Sequence, residues 1–546
     1  MTPAQLFFWF VALLGNTTAL FTFWYLPNIP SLLFLALMLI FTVTGLYDYF
    51  FSSHTLNRLY PVLAYLRYLM ESIRPEIQQY FIASNTEEKP FSREQRELVY
   101  RRAKNVNDTL PFGTQRDLME TNYLSIWHSM HPKIVKEQSK RLLFGSSQCA
   151  LPYSASLLNI SAMSYGALSS HAIEALNLGA KLGGFAHNTG EGGVSPYHLK
   201  HGGDIIWQIG TGLFGCRTKE GRFDQEKFTA MASRDAIKMI EIKLSQGAKP
   251  GHGGMLPKAK ISDEIAQIRG ISKDEDCVSP AMNPECHTPI ELLEFVAQLR
   301  ELSGGKPVGI KLCVGHPAEF LAICKAMVST GILVDFITVD GAEGGTGAAP
   351  VEFSNRLGMM CLEGTNIVHQ ALIGVGLRNE IRIISSGKSA SSFDLLSKMA
   401  MGADTVNAAR TMMMALGCIQ SRSCNTNTCP TGIATQDPKR SKGIDVKAKS
   451  LRVKQFQHNT LHSLYELVGS MGLDDPSLLC PSMLKRRTAE GLLESAPSIV
   501  PPLDNKQLVD NHASGVWQRW WHLADQEQFY VLDNCTPKPQ ITVVNL

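Results

Sequence analysis

Cys418, Cys424 and Cys429 fall in the stretch CIQSRSCNTNTCPTGIATQ (418–436) of a 546-residue chain that holds twelve cysteines in all. Three chemistries are open to a Cys-x5-Cys-x4-Cys run: a disulfide staple, a single nucleophilic thiol, or thiolate ligation of a metal or an iron-sulfur cluster. Zinc is the poorer fit, because structural zinc commonly takes four ligands with Cys-x2-Cys pairs. The first cysteine is Cys149, and most others stand singly in apolar runs such as GIKLCVGH and GMMCLEG. That distribution suits a reducing compartment better than a disulfide scaffold.

A second group of residues points to an anion. DGAEGGTGAAP (340–350) supplies Gly341, Gly344, Gly345 and Thr346, whose bare backbone lets N–H groups approach a phosphate. SSGKSAS (385–391) places Gly387 and Lys388 before a helix expected to begin near Ser391, where the positive helix end favours phosphate. NAARTMM (407–413) adds Arg410, a guanidinium able to grip phosphate with two donors.

Short apolar runs alternating with helical patterns from about residue 155 to 435 must position these groups. The strand candidates are LLNISAM (157–163), GGFAHN (183–188), IIWQIG (205–210), PVGIKLCV (307–314), DFITVDG (335–341), IRIISSG (381–387) and DTVNAAR (404–410). Alternation of that kind predicts parallel strands with crossover helices. The expected class is α/β, a TIM (β/α)8 barrel over 151–440, with glycine-rich loops at its C-terminal face and phosphate at the last strands.

Ahead of the barrel, the first charged side chain is Asp48, and the uncharged runs Leu6–Leu26 and Ser31–Tyr47 flank PNIP. Each is near the length that spans a hydrocarbon core of roughly 30 Å, so 1–54 is expected to be a transmembrane hairpin with a four-residue turn. Arg58, Arg67 and Arg74 follow the second span while the turn lacks Lys and Arg, which places both termini and the whole C-terminal body on the cytoplasmic side. Residues 55–150 are expected to connect, with a helix over 55–82 that is either membrane-proximal or packed on the core, packing being the preferred reading. Residues 441–546 form a helical extension whose GVWQRWWHL is read as packing. The net charge of +3, without a dominant basic run, gives no footprint for nucleic acid.

Taken together, ISAMSYGALS, NTGEGG, QGAKPGHGG, DGAEGGTGAAP and ALGCIQSRSCNTNTCPTGIATQ resemble, in order and spacing, the FMN-binding synthase domain of glutamate synthase over roughly residues 150–440. The resemblance extends to membrane-anchored, stand-alone bacterial members of that family. It implies FMN at the barrel mouth beside a 3Fe-4S cluster on Cys418, Cys424 and Cys429. It puts Met163, Ser164, Gln208 and Lys311 at the flavin ring, and Gly341, Gly344, Gly345, Thr346, Gly387, Lys388 and Arg410 at its phosphate. Lys243, Lys249 and Arg269 correspond to the cations that hold the carboxylates of 2-oxoglutarate, with Glu191 as acidic neighbour.

Three departures stand out. AART replaces the family's Gly-Thr-Gly turn, and in GAKPGHGGMLP His252 and Met255 replace a glutamate and a glutamine. The implied activity is reductive amination of 2-oxoglutarate, through 2-iminoglutarate, to L-glutamate. The alternatives are a membrane-associated flavin dehydrogenase acting on another amino or oxo acid, and a non-catalytic redox scaffold. The chain begins MTPAQ rather than with the family's glutaminase cysteine, so ammonia is expected to arrive from elsewhere. A dinucleotide fingerprint after a strand is lacking, so ferredoxin, a separate reductase or a quinone is the expected electron partner.

Overall fold

The apolar runs that alternate with helices become eight parallel strands in a computed structural model that describes residues 1–135, 140–495 and 500–530. They are β1 (Leu158–Ile160), β2 (His187–Asn188), β3 (Ile205–Ile209), β4 (Ile237–Lys243), β5 (Val308–Cys313), β6 (Phe336–Asp340), β7 (Arg382–Ser386) and β8 (Thr405–Ala408). Neighbours pair in order, and β8 pairs with β1, closing the expected (β/α)8 barrel. The strand runs read from the sequence account for seven of these. The unread one is β4, IKMIEIK, whose alternating charges resemble a solvated edge; in the barrel Glu241 and Lys243 are buried.

Inside the barrel the side chains change character along the strands. Ala186, Ile206, Met239, Phe336 and Ile384 cluster with Phe144, Tyr153 and Ala155 from an antiparallel hairpin (Arg141–Phe144 with Tyr153–Ser156). This apolar plug fills the N-terminal end, so the polar residues gather at the C-terminal end, where barrel loops build sites.

Helix α3 (Ser170–Gly183) follows β1 and packs on α4 (Val446–Ser470), the expected C-terminal helix. The two backbones approach closely at Gly179, where a Cβ would stand 2.8 Å from Val453. Gln457 of α4 donates to the Ser156 hydroxyl at 2.9 Å, tying the extension to the base of β1. The GVWQRWWHL run forms helix Gly515–Leu523. Trp517 is buried in the main core and donates its Nε1–H to the Pro501 carbonyl at 2.8 Å, in accord with the packing reading.

The chain divides into two compact units, Met1–Arg93 and Glu94–Leu546. In the first, α1 (Pro3–Tyr25) and α2 (Ile29–Phe50) are long and apolar enough to cross a membrane. Their connection is tighter than the expected four-residue turn, since Asn28 caps α2 and Pro30 lies in its first turn, where a missing N–H costs nothing. The Asn16 amide donates to Thr42 Oγ1 at 2.6 Å between the two helices. Asp48, fully buried at the end of α2, accepts hydrogen bonds from the Asn57 amide, the Val62 N–H and the Tyr65 hydroxyl. The helix expected over 55–82 is broken into Thr55–Leu59, Leu63–Ile77 and a turn over Gln78–Ile82. Most of its large apolar side chains are exposed, which goes against the preferred packing reading and leaves the membrane-proximal one.

Candidate functional site

The C-terminal ends of β3 to β6 converge on an ionic cluster. Lys243, at the end of β4, lies 2.9 Å from Glu191 on the loop after β2 and donates to Gln246 Oε1 at 3.1 Å. Burial opposes ionisation of Glu191, but Lys243, Lys249 and Arg269 outweigh it and hold its pKa below the ordinary carboxylate value. Lys249 is 2% exposed, and its Nζ donates to the Ala348 carbonyl at 3.1 Å, leaving donor capacity unspent. Burial pushes its pKa down to about 8, with Glu191 pulling the other way and Lys243 adding repulsion. Arg269 donates to the Tyr165 carbonyl at 3.1 Å and lies over the Phe214 ring at 5.3 Å, while its buried Nε lacks a partner. Three cations and one carboxylate therefore lie close enough to interact, and cationic side chains of these types can bind carboxylates.

Deeper in the barrel, Lys311 of β5 lies 3.3 Å from Asp340 at the end of β6. Burial works against its charge, yet Asp340, Glu241 and Glu191 together raise its pKa above the ordinary lysine value. Glu241 is itself held by the amides of Asn188 at 2.8 Å and Gln208 at 2.6 Å and by the Thr338 hydroxyl at 2.5 Å. Gln208, expected at the flavin, is thus committed to Glu241 through its nitrogen. The sequence reading missed Glu241, Asp340 and Gln246. A glutamate flanked by isoleucines on an alternating run was the available signal for Glu241.

The residues expected to take phosphate lie on the loops after β6, β7 and β8. The Arg410 side chain packs on Gly345, where a Cβ would stand 2.6 Å from its Cδ, and its Nη2 donates to the Glu343 carbonyl. At Gly387 a Cβ would meet Cys361 at 2.7 Å, so the bare backbone is required there too. The helix after β7 does begin at Ser392, but Asp394 accepts from the Ala390 and Ser391 N–H groups. A carboxylate thus already occupies the helix start that the sequence offered to an anion. Lys388 presents its carbonyl to Lys398 Nζ at 2.7 Å. Gly341 and Gly344 close a tight turn through a 2.7 Å backbone hydrogen bond, and Thr346 Oγ1 donates to the Ala348 carbonyl at 3.2 Å.

Met163 and Ser164 follow β1 beside the cysteine loop. Gln436 donates to the carbonyls of Gly166 and Leu168 at 3.0 and 2.8 Å, and Lys260 Nζ bridges those of Ala167, Cys424 and Ala434. Cys418, Cys424 and Cys429 stand near enough to influence one another's ionisation. Burial raises the pKa of Cys418, to about 11, and that of Cys424. At Cys429 burial is outweighed by the Thr431 hydroxyl and the backbone at Thr431, Ile433 and Ala434, which bring its pKa below the ordinary thiol value. Among the described residues, no three His, Cys, Asp or Glu side chains are gathered tightly enough for one metal ion. His252 turns its ring edge to Phe353 at 5.4 Å, and Met255 lies half-buried in a two-residue strand paired with Cys277–Val278.

Residues 82–474 match the family model described as the conserved region in glutamate synthase. The chain is 37% identical to the glutamate synthase large subunit-like protein YerD of Bacillus subtilis over 82% of this chain and 93% of that one. It is 36% identical to the archaeal glutamate synthase [NADPH] of Methanocaldococcus jannaschii over 58% of this chain and 59% of that one. Among solved structures, a double mutant of flavocytochrome b2 with pyruvate bound aligns with a TM-score of 0.42 and 11% identity, over 83% of this chain and 91% of that one. On its family match and its similarity to YerD, the chain belongs to the glutamate synthase family.

Proposed function

We propose that this oxidoreductase is a flavin-dependent enzyme of the glutamate synthase type that reductively aminates 2-oxoglutarate to L-glutamate. The observation that carries the reading is the wall of Lys243, Lys249 and Arg269 around Glu191, three cations converging at the mouth of a barrel.

The residues fit FMN. The backbone is bare at Gly345 and Gly387, Arg410 lies beside Gly345, and Lys311, its pKa raised, stands in the barrel interior. Asn407 on β8 has both side-chain polar atoms buried without a partner. Gly341, Gly344, Gly345, Thr346, Gly387, Lys388 and Arg410 would hold the phosphate, and Met163, Ser164, Gln208 and Lys311 the ring. The three thiols of the cysteine loop fit a 3Fe-4S cluster in donor type and number, and the environment of Cys429 favours a thiolate. Once bound, FMN supplies the hydride and the cluster supplies single electrons.

The chain's own groups do the rest. Lys249 and Arg269 hold the two carboxylates of the oxo acid, and Lys243 fixes Glu191 as a carboxylate. Glu191, kept as a carboxylate, attracts and orients the incoming ammonium, whose proton passes to solvent, so that free amine attacks the oxo carbon and 2-iminoglutarate forms with loss of water. Lys311 places positive charge where the reduced flavin gathers negative charge. Ammonia comes from outside this chain, electrons from a ferredoxin, a reductase or a quinone, and α1 and α2 anchor the enzyme in a bacterial inner membrane with the barrel in the cytoplasm.

A second reading, turnover of a different amino or oxo acid, is favoured by Met255, because a thioether cannot replace the hydrogen bonds of a carboxamide. Glutamate formation from 2-oxoglutarate, ammonium and a reduced one-electron donor tests the first reading. Turnover of another oxo acid in its place would transfer the assignment to the second.

A further inference from the structure

The segment that follows the hairpin carries an apolar stripe that the described residues of its own unit leave exposed. On the helix Leu63–Ile77, at about 100° per residue, Leu63, Leu66, Met70, Ile73 and Ile77 fall on one face. All five are exposed, Leu66 at 59%, and the stripe continues into the following turn, where Phe81 is 84% exposed. Arg67 and Arg74 border the stripe, and Ser72 lies on the opposite face. A stripe of this size left open to water is a binding surface rather than a stable state.

The hairpin determines where the helix begins. Thr2 Oγ1 donates to the Leu59 carbonyl at 3.0 Å and Gln5 Nε2 to the Arg58 carbonyl at 2.7 Å, both from the start of α1. Asp48, at the end of α2, is the shared acceptor for Asn57, Val62 and Tyr65. These bonds hold residues 57–65 at the end of the hairpin where α1 begins and α2 finishes. If the hairpin spans a bilayer, that end lies at the headgroups, and the start of the stripe is held there with residues 57–65.

We propose that Leu63–Ile82 is an in-plane anchor that beds its stripe in the acyl boundary of a lipid leaflet, with Arg74 reaching headgroup phosphates and Arg67 paired with Glu71 along the helix. The inference rests on the proposed membrane insertion of α1 and α2 and adds a second element to it. Amphipathic helices with this arrangement lie in the interface rather than across it, and an attached span makes their insertion intramolecular.

The test uses the full-length holoprotein in bilayers of phosphatidylcholine and phosphatidylglycerol. A benzophenone amino acid is placed singly at Leu66, at Ser72 on the opposite face, and at Leu33 within α2, and adducts are read by mass after illumination. The expected result is phospholipid adducts at positions 33 and 66, with several-fold less at 72. Lipid adducts at 33 with only chain-to-chain cross-links at 66 would mean a second copy covers the stripe, and overturn the proposal. Equal lipid yields at 66 and 72, or none at 66, would also overturn it while leaving the hairpin in place. A lack of lipid at 33 would remove the insertion itself, and the anchor with it.

Discussion

Lys249 gives the proposed oxo-acid site a pH dependence whose sign is set by the structure. Its pKa is lowered to about 8 by burial, with Glu191 attracting its proton and Lys243 repelling it. The ammonium is the charged form, so the cation that holds a carboxylate is present below pH 8 and lost as pH rises through that value. With a pKa of about 8, the protonated fraction falls about tenfold between pH 7 and pH 9, equivalent to about 1.4 kcal/mol of binding. The affinity for 2-oxoglutarate should fall by that factor, with about one proton taken up per ligand bound at the upper end. Glu191→Gln removes the attraction while burial and Lys243 remain, so the pKa of Lys249 should drop further, by about one unit for each ~1.4 kcal/mol of attraction lost. At pH 6.5 the variant should bind the dianion no more weakly than the wild type, because a negative charge has left the pocket; at pH 9 it should bind more weakly. Titrating the flavin spectrum with 2-oxoglutarate from pH 6.5 to 9 measures both proteins. An affinity flat across this range in the wild type, or two parallel profiles, would refute the role given to Lys249.

Arg410→Ala should weaken FMN binding to the apoprotein by about 10- to 100-fold, the value of a charge-assisted contact, while riboflavin binding changes little; equal losses for both flavins would place Arg410 away from the phosphate. Cys424→Ser should remove the iron and the broad visible absorption while FMN stays bound, and full iron content in that variant would defeat the cluster assignment. Asp340 stands 3.3 Å from Lys311. Asp340→Asn should therefore leave Lys311 less neutralised, raise the flavin midpoint potential and tighten the sulfite adduct; a lower potential would contradict the placement of Lys311 at the flavin.

Much of the barrel was legible because its strands are short apolar runs bounded by glycine and separated by helical patterns. The strand that escaped, β4, is one that carries chemistry, and Glu241 and Lys243 made it look solvated. The partners that make Glu241 tolerable, Asn188, Gln208 and Thr338, come from three other strands, so closure of the barrel supplies what local pattern cannot. The helix start near Ser391 was visible, but that Asp394 would fold back on it was not. Periodicity found the apolar face after the hairpin but could not choose between packing and a membrane-proximal position, since period alone cannot say what covers a stripe. The cationic wall was reached only through resemblance: Lys249 and Arg269 lie in loops and a short helix brought beside Lys243 by the fold.

The central claim is that a reduced flavin in this barrel gives up its electrons to the adduct of an oxo acid and ammonia. The most direct measurement is a single anaerobic turnover: holoprotein reduced with dithionite, excess reductant removed, then mixed with 2-oxoglutarate and ammonium while flavin absorbance is followed. The account predicts reoxidation only when both are present, with one L-glutamate formed for each two electrons lost. Flavin that stays reduced with both present, or that reoxidises without forming glutamate, would contradict it.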